Sequence, residues 1–292
     1  MIEIKNLSHS LGDKTVLKDI NLTFPENRIF GLVGVNGAGK STLLRCMSAV
    51  YSPDNGSVLY DGLSVTDENV RREIFFLPDD PYYSIQLTCK SMFNMYKVFY
   101  PHADVNTYKR LICEFKLDEK KPLNTFSKGM RRQAYIVCAL AIAPKYLLLD
   151  EAFDGLDPYT RKKVKAELIS LTEEKGSTVI ISSHSLRELE SLCDSFVLLD
   201  NNTVSSYGDV SEKVNEMCKF QLAFLSEISE SAFDNLPVVS LEKNGKFIRV
   251  VLQGDRDTMY NSLLKLSPAV IEEMKMDFEE AVISEIERST RK

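Results

Sequence analysis

The sequence predicts an α/β fold: a mixed core whose inner strands lie in a parallel sheet, opened by antiparallel strands, interrupted by a helical insertion and followed by a small α+β appendage. Three observations carry this. The apolar run Ile29-Phe30-Gly31-Leu32-Val33 passes through a glycine-rich turn into the helical pattern Leu43-Leu44-Arg45-Cys46-Met47. Tyr146-Leu147-Leu148-Leu149 and Thr178-Val179-Ile180-Ile181-Ser182 are near-continuous apolar runs of the kind buried on both faces of a parallel sheet. Between these regions, from Thr88 to about Ala143, apolar residues recur at spacings of three and four, as in Met92, Met95, Tyr96 and Phe99 and again in Tyr108, Leu111, Ile112 and Phe115.

The elements follow in order. Residues 1–28 alternate like antiparallel strands, with Ile2-Glu3-Ile4, a turn at Leu11-Gly12-Asp13-Lys14, and strands resuming at Thr15 and Ile20. After the glycine-rich turn and its helix, Ser52-Pro53-Asp54-Asn55-Gly56 turns the chain into a strand over Ser57-Val58-Leu59-Tyr60. Arg71 to Leu77 reads as a further strand, and a helical insertion covers about residues 84–143. The alternation then resumes with a strand at Tyr146, a helix from Pro158 to Lys175, a strand at Thr178, a short helix from Leu186 to Leu192 and a strand over Phe196-Val197-Leu198-Leu199. Residues 1–209 are expected to form the first domain and 210–292 the second. In the second, Phe220 to Leu225 reads as a strand, Val238 to Leu252 as a hairpin turning at Asn244-Gly245 with Ile248, Val250 and Leu252 on one face, and Arg256–Leu266 and Asp277–Arg288 as helices.

Composition narrows the function classes. A chain of 292 residues with 44% apolar and 27% charged residues can bury an ample core, and its net charge of −6 argues against a nucleic-acid partner. The six cysteines lie far apart with no C-x-x-C pair, and most fall in apolar stretches. They read as reduced, mostly buried small hydrophobes of a cytosolic protein. The longest apolar run, Tyr135 to Ala143, is nine residues and too short to span a bilayer, so any membrane role is expected to come from another chain.

The chemistry starts at Gly34-Val35-Asn36-Gly37-Ala38-Gly39-Lys40-Ser41-Thr42, which has the pattern G-x-x-x-x-G-K-[ST] between a strand and a helix. Without Cβ atoms the loop can curl its backbone N–H groups inward at the positive end of the helix, forming a nest for a polyphosphate. Lys40 adds a point charge near the β- and γ-phosphates, and the Ser41 hydroxyl can hold Mg²⁺. A second motif places Asp150 and Glu151 at the C-terminal end of a buried strand, where α/β sheets bind ligands. Asp150 is expected to hold Mg²⁺, and Glu151 to polarise the water attacking a γ-phosphate. A third is the serine-glycine turn Phe126-Ser127-Lys128-Gly129-Met130, opening onto a helix; it reads equally as an anion site or as a plain N-cap.

With these motifs in this order, the chain resembles the ATP-binding subunits of ABC transporters over residues 2 to about 208. The signature corresponds to Phe126–Met130, the D-loop to Asp154-Gly155-Leu156-Asp157 and the switch histidine to His184 in Ser182-Ser183-His184. The Ser-Lys-Gly-Met signature and the stretch Asp150 to Pro158 resemble the ABC-2 type export branch, which serves antibiotic, bacteriocin and peptide export or resistance. The resemblance implies a P-loop NTPase core and an ATPase using ATP and Mg²⁺. It implies a homodimer or heterodimer in which the signature Ser127, Lys128, Gly129 and Met130 faces the partner subunit's nucleotide, Ser127 and Gly129 touching a γ-phosphate held by the partner subunit's Lys40, with Asp157 in the D-loop. Catalysis would fall to Glu151, His184 and Lys40, and metal binding to Ser41, Asp150 and Asp79. Asn36 to Thr42, with Leu11 and Val16, would contact nucleotide. It further implies a separate integral membrane permease and a place on the inner face of the cell membrane, peripheral and cytoplasmic.

Two departures stand out. Leu11 occupies the position of an aromatic that stacks on adenine in the family, and the family's metal-sensing glutamine aligns with Asp79, or one place later with Asp80. These leave a second reading, a nucleotide-gated regulatory module with weak hydrolysis. The C-terminal part resembles the appendage that many ABC-2 export ATPases carry, and names no function.

Overall fold

The computed structural model describes residues 1–283. The chain divides into two compact units, with the second beginning at Gly208. In chain order the first unit contains β1 (Ile2–Leu11), β2 (Lys14–Phe24), β3 (Ile29–Val33), α1 (Lys40–Met47), β4 (Asn55–Tyr60), β5 (Leu63–Ser64), α2 (Glu68–Arg71), β6 (Ile74–Leu77), α3 (Cys89–Phe99), α4 (Val105–Glu114), α5 (Lys128–Ile142), β7 (Tyr146–Leu149), α6 (Pro158–Lys175), β8 (Thr178–Ser182), α7 (Leu186–Glu190), β9 (Ser195–Asp200) and all but the last two residues of β10 (Thr203–Asp209).

Two sheets organise these elements: β2-β1-β4-β5, with its strands antiparallel, and β10-β9-β3-β8-β7-β6, which is parallel from β9 across to β6. Helix α1 joins them into one core. Leu43, Leu44 and Met47 pack in the cluster that holds Ile2, Ile4, Leu17 and Phe24 from the antiparallel sheet and Leu32, Leu148, Ile180 and Val197 from the parallel one. The central strands β3, β7 and β8 are buried at every residue, as their unbroken apolar runs require. Their C-terminal ends therefore point the chain segments that follow them toward one edge of the core.

Local chemistry explains where the helices start. Thr88 and Ser91 form a reciprocal capping box on α3. Asp104 caps α4 and Asp157 caps α6, the latter followed by Pro158 at the first helical position. Helix α6 stops at Gly176, whose φ of 70° suits a residue without Cβ. The strand expected from Arg71 starts later, at Ile74. Asp67 accepts a hydrogen bond from the Asn69 N–H and caps a single turn of helix, α2, which takes up Arg71.

The second unit contains α8 (Val210–Asn215), β11 (Met217–Ala223), β12 (Val238–Asn244), β13 (Phe247–Gln253), α9 (Arg256–Leu264) and β14 (Val270–Met274). Its sheet runs β12-β13-β11-β14 and is antiparallel throughout. Ile248, Val250 and Leu252 face one core with Phe220, Leu222, Phe233 and Leu263, as the hairpin reading expects. The helix expected over 277–288 is present over residues 278–283, and its remaining part lies outside the described residues.

Among the described residues no helix is long and apolar enough to cross a membrane. The cysteines are free, and all but Cys113 are buried.

Candidate functional site

The loop between β3 and α1 turns through left-handed backbone at Gly37 (φ 85°) and Gly39 (φ 104°). Gly39 is the N-cap of α1, and the space it leaves is already used. A Cβ there would lie 2.8 Å from Leu17 Cδ2 and 2.9 Å from the Val16 carbonyl oxygen. Strand β2 thus buttresses the loop from below, and Val16 is buried in doing so. Gly39 brings no side chain to cap α1, and the first turn carries no acidic residue. The positive end of the helix is left for an external anion. Asn36 and Gly37 are exposed at the loop tip, whereas Ala38 and Thr42 are buried and anchor it.

Lys40 folds back over this loop. Its Nζ donates to the Gly34 carbonyl at 2.7 Å and lies 3.9 Å from Glu151 Oε1, with only 7% of the side chain exposed. Burial pulls the lysine below its ordinary pKa, and the charges of Glu151 and Asp150 partly offset that pull.

Beyond β7, two adjacent carboxylates part company. Asp150 is fully buried, and its Oδ1 accepts from the Ser41 hydroxyl at 3.0 Å and from the Ser182 hydroxyl at 2.7 Å. Its Oδ2 is buried without a hydrogen-bond partner. Glu151 adopts a φ of 48°, unusual for a residue with a Cβ, and its N–H donates to Ser182 Oγ at 2.9 Å. That backbone turn sends its side chain away from Asp150. Glu151 Oε2 accepts from the His184 backbone N–H at 3.2 Å and lies 3.0 Å from His184 Nδ1. Asp154 Oδ1 is 3.7 Å from the same ring nitrogen. Lys40, Ser41, Asp150, Glu151 and His184 are thereby brought together at the C-terminal ends of three neighbouring strands.

The remaining sequence candidates have other partners. Ser127 caps α5, its Oγ accepting from the Met130 N–H at 3.2 Å, and Lys128 is exposed beside it. Gly129 presses on the loop that carries Gly155. A Cβ on Gly129 would lie 2.4 Å from the Gly155 carbonyl oxygen. Asp157 is engaged in capping, accepting from the Tyr159 and Thr160 N–H groups at 3.0 Å each. Thr160 Oγ1 donates to the same carboxylate, and these bonds hold it below the usual range. Leu11 stands 45% exposed at the tip of the β1–β2 hairpin. Asp79 is not bonded to Ser41 or Asp150. Its Oδ1 accepts from Arg132 Nη2 at 2.6 Å, because that buried guanidinium needs a counter-charge, and Asp80 next to it is exposed.

Sequence reasoning missed three residues here. Ser182 bridges both acidic residues, a role visible only once β8 is known to lie beside β7. Asp154 joins Glu151 and His184 in a group whose ligand atoms lie within 4.8 Å of one another. Arg132 meets its partners only once α5 lies against the segments that follow β6 and β7.

Residues 17–154 match the ABC transporter family. Over 287 residues, covering 97% of each chain, the protein is 31% identical to the ABC transporter ATP-binding protein YtrB of Bacillus subtilis. The chain belongs to the ATP-binding subunits of ABC transporters. This ATPase subunit is also 31% identical over 230 residues to the lantibiotic transport ATP-binding protein SrtF of Streptococcus pyogenes, covering 77% of this chain and 98% of SrtF. A solved ATP-binding subunit of an ABC transporter superposes with a TM-score of 0.67 at 30% identity, over 73% of this chain and 91% of that one. The fold is that of a P-loop ABC cassette, and the protein is an ATPase of that family.

The site's own chemistry fits MgATP. The orphaned, buried Asp150 Oδ2 beside a serine hydroxyl is a hard-oxygen pair of the sort Mg²⁺ takes, and the loop offers backbone N–H groups and a lysine to phosphates.

Proposed function

We propose that this ATPase subunit hydrolyses MgATP within a dimer and so drives a separate membrane permease that exports a substrate. One observation carries the catalytic part: Glu151 reaches between Lys40 and His184, next to the Asp150–Ser41 pair. Gly37, Gly39 and Lys40 bind the phosphates. Ser41 and Asp150 would hold Mg²⁺, which when bound neutralises charge developing on the phosphate oxygens. Glu151 accepts a proton from the attacking water, and His184 orients Glu151 while facing the γ-phosphate. Asp150, fixed by two hydroxyls, keeps Glu151 at the right end of β7.

The dimer follows from what one chain lacks. Ser127, Lys128, Gly129 and Met130 hydrogen-bond to none of Lys40, Ser41, Asp150, Glu151 and His184 among the described residues. A second chain, identical or different, presents that turn to the nucleotide. A permease partner is supported by the apolar stripe Met95, Val98 and Phe99 on α3, which is 47%, 78% and 62% exposed. Export is supported by the Ser-Lys-Gly-Met signature and by the likeness to SrtF. The ATPase then sits at the inner face of the cell membrane through its permease.

Glu151→Gln tests this directly. Turnover should fall by about 10²-fold or more, the contribution of a general base, while ATP is still bound and an ATP-loaded dimer accumulates on size-exclusion chromatography. Hydrolysis at the wild-type rate would remove Glu151 from its role. The regulatory reading, suggested by Leu11 and by the engaged Asp79, instead requires that purified permease leave turnover unstimulated.

A further inference from the structure

The geometry points to Arg132 as a positioning residue for ATP hydrolysis, with Asp79 as its counter-ion and not a ligand to the metal. This rests on the roles proposed above for Asp150 and Glu151. Arg132 lies in the second turn of α5 and is 3% exposed. Its guanidinium spans the ends of two neighbouring strands. Nη1 donates to the Pro78 carbonyl at 3.1 Å and approaches the Asp150 carbonyl at 3.5 Å. Nη2 donates to the Asp79 carbonyl and to Asp79 Oδ1. A buried guanidinium requires both oxygen acceptors and one negative charge, and these residues supply them. The planar fork matters because its two Nη atoms, held a fixed distance apart, meet acceptors on the Pro78–Asp79 and Asp150 segments in one plane, a geometry the compact ammonium of lysine does not reproduce.

Three parts of the site are fastened together by this fork. Ser127 to Met130 sit on the first turn of the helix that carries Arg132. Pro78 and Asp79 follow directly on β6. The Asp150 carbonyl belongs to the peptide that leads into Glu151, whose φ of 48° sets where its carboxylate goes. A shift of that peptide moves the Glu151 carboxylate relative to Lys40 and His184. Misplacement by about 1 Å is enough to cost about 10²-fold in rate. Asp150 is the better placed of the two for the metal: Asp79 Oδ1 is taken by Arg132, while the buried oxygen without a partner belongs to Asp150.

The test measures steady-state hydrolysis by the full chain, with Mg²⁺ titrated at fixed ATP, for wild type, Arg132→Met, Asp79→Asn, the double variant and Arg132→Lys. Arg132→Met should lower kcat about 10- to 100-fold with KM for ATP changed by less than about 2-fold. The double variant should fall to the same level, since the two residues act as one unit. Arg132→Lys should not restore the rate. Asp79→Asn should lower kcat at least about 3-fold and leave the Mg²⁺ concentration for half-maximal turnover within about 2-fold of wild type.

Unchanged kcat in Arg132→Met, losses that multiply in the double variant, or a roughly tenfold higher Mg²⁺ requirement in Asp79→Asn would each overturn the assignment. If Arg132→Met does not fold, Asp79→Asn decides alone, and either an unchanged kcat or a raised Mg²⁺ requirement refutes the proposal. A Glu151→Gln protein that still hydrolyses ATP would undo the general-base reading separately, because it leaves the Mg²⁺ titration of Asp79→Asn untouched.

Discussion

Substituting Gly129 by alanine sets two effects of opposite sign against each other. Gly129 is the second residue of α5, where exchanging glycine for alanine favours the helix by up to about 1 kcal/mol. Against this, the new methyl would lie 2.4 Å from the Gly155 carbonyl oxygen, a backbone atom that cannot swing aside as a side-chain tip can. Forcing an extra carbon into a packed contact costs about 1–3 kcal/mol. The clash should win by about 1 kcal/mol, which lowers Tm by about 2–4 °C for a unit of this size. Thermal melting of the intact chain, followed by circular dichroism, reads the shift. Gly155→Ala is the control: its Cβ would meet nothing closer than 3.8 Å, but its φ of 73° penalises any L side chain by about 1–2 kcal/mol. A Gly129→Ala protein that melts at or above the wild-type temperature would show that the start of α5 and the Gly155 loop do not touch as described.

Three further outcomes are expected. Ser182→Ala removes the bonds to Asp150 Oδ1 and from the Glu151 N–H, so unfolding titrations should show a loss of about 1–3 kcal/mol with reduced turnover, and a loss under about 0.5 kcal/mol would contradict the bridging role. Leu11→Phe gives adenine a ring to stack on, and should tighten binding of a fluorescent ATP analogue by about 2- to 10-fold, whereas unchanged affinity would place adenine elsewhere. At Asp61, burial alone would raise the carboxyl pKa, but hydrogen bonds from Lys145, the amino terminus and Tyr146 outweigh it and hold the group well below the ordinary value. A depressed folded-state value gives stability that is present above the unfolded pKa of about 3.9 and lost as pH falls toward the folded one. Because the side chain is 44% exposed, Asp61→Asn should cost only about 1 kcal/mol near neutrality, and the difference from wild type should begin to shrink below about pH 5 and be gone only in strong acid, where the folded-state carboxyl itself protonates. A difference that persists in acid would show that the charge is not responsible.

What was legible in the sequence was whatever a single segment settles by itself. The unbroken apolar runs of β7 and β8 admit few environments other than a two-faced burial, and the loop at Gly34–Thr42 needs glycines for its own backbone angles. β14 was not legible. Val270-Ile271-Glu272-Glu273-Met274 lies at a sheet edge with no residue buried, so its pairing with β11 leaves no apolar alternation to read. β10 was missed for a similar reason: it has no fully buried residue, and its place is fixed by the turn at Asn201 and Asn202, both at positive φ. In the site, Ser182 and Arg132 depend on which strands and helices become neighbours, and sheet order is not written in any local pattern.

Glu151 carries a consequence of its left-handed backbone. The torsion that aims its carboxylate between Lys40 and His184 is one that glycine adopts freely and glutamate only at a penalty of about 1–2 kcal/mol. A glycine here would relieve the torsion but give up the contacts of the carboxylate with His184 and Lys40, and with them the role proposed for Glu151. The strained backbone at Glu151 is therefore held in place by its surroundings, the Ser182 hydroxyl that takes its N–H and the ring and backbone of His184 that meet its carboxylate.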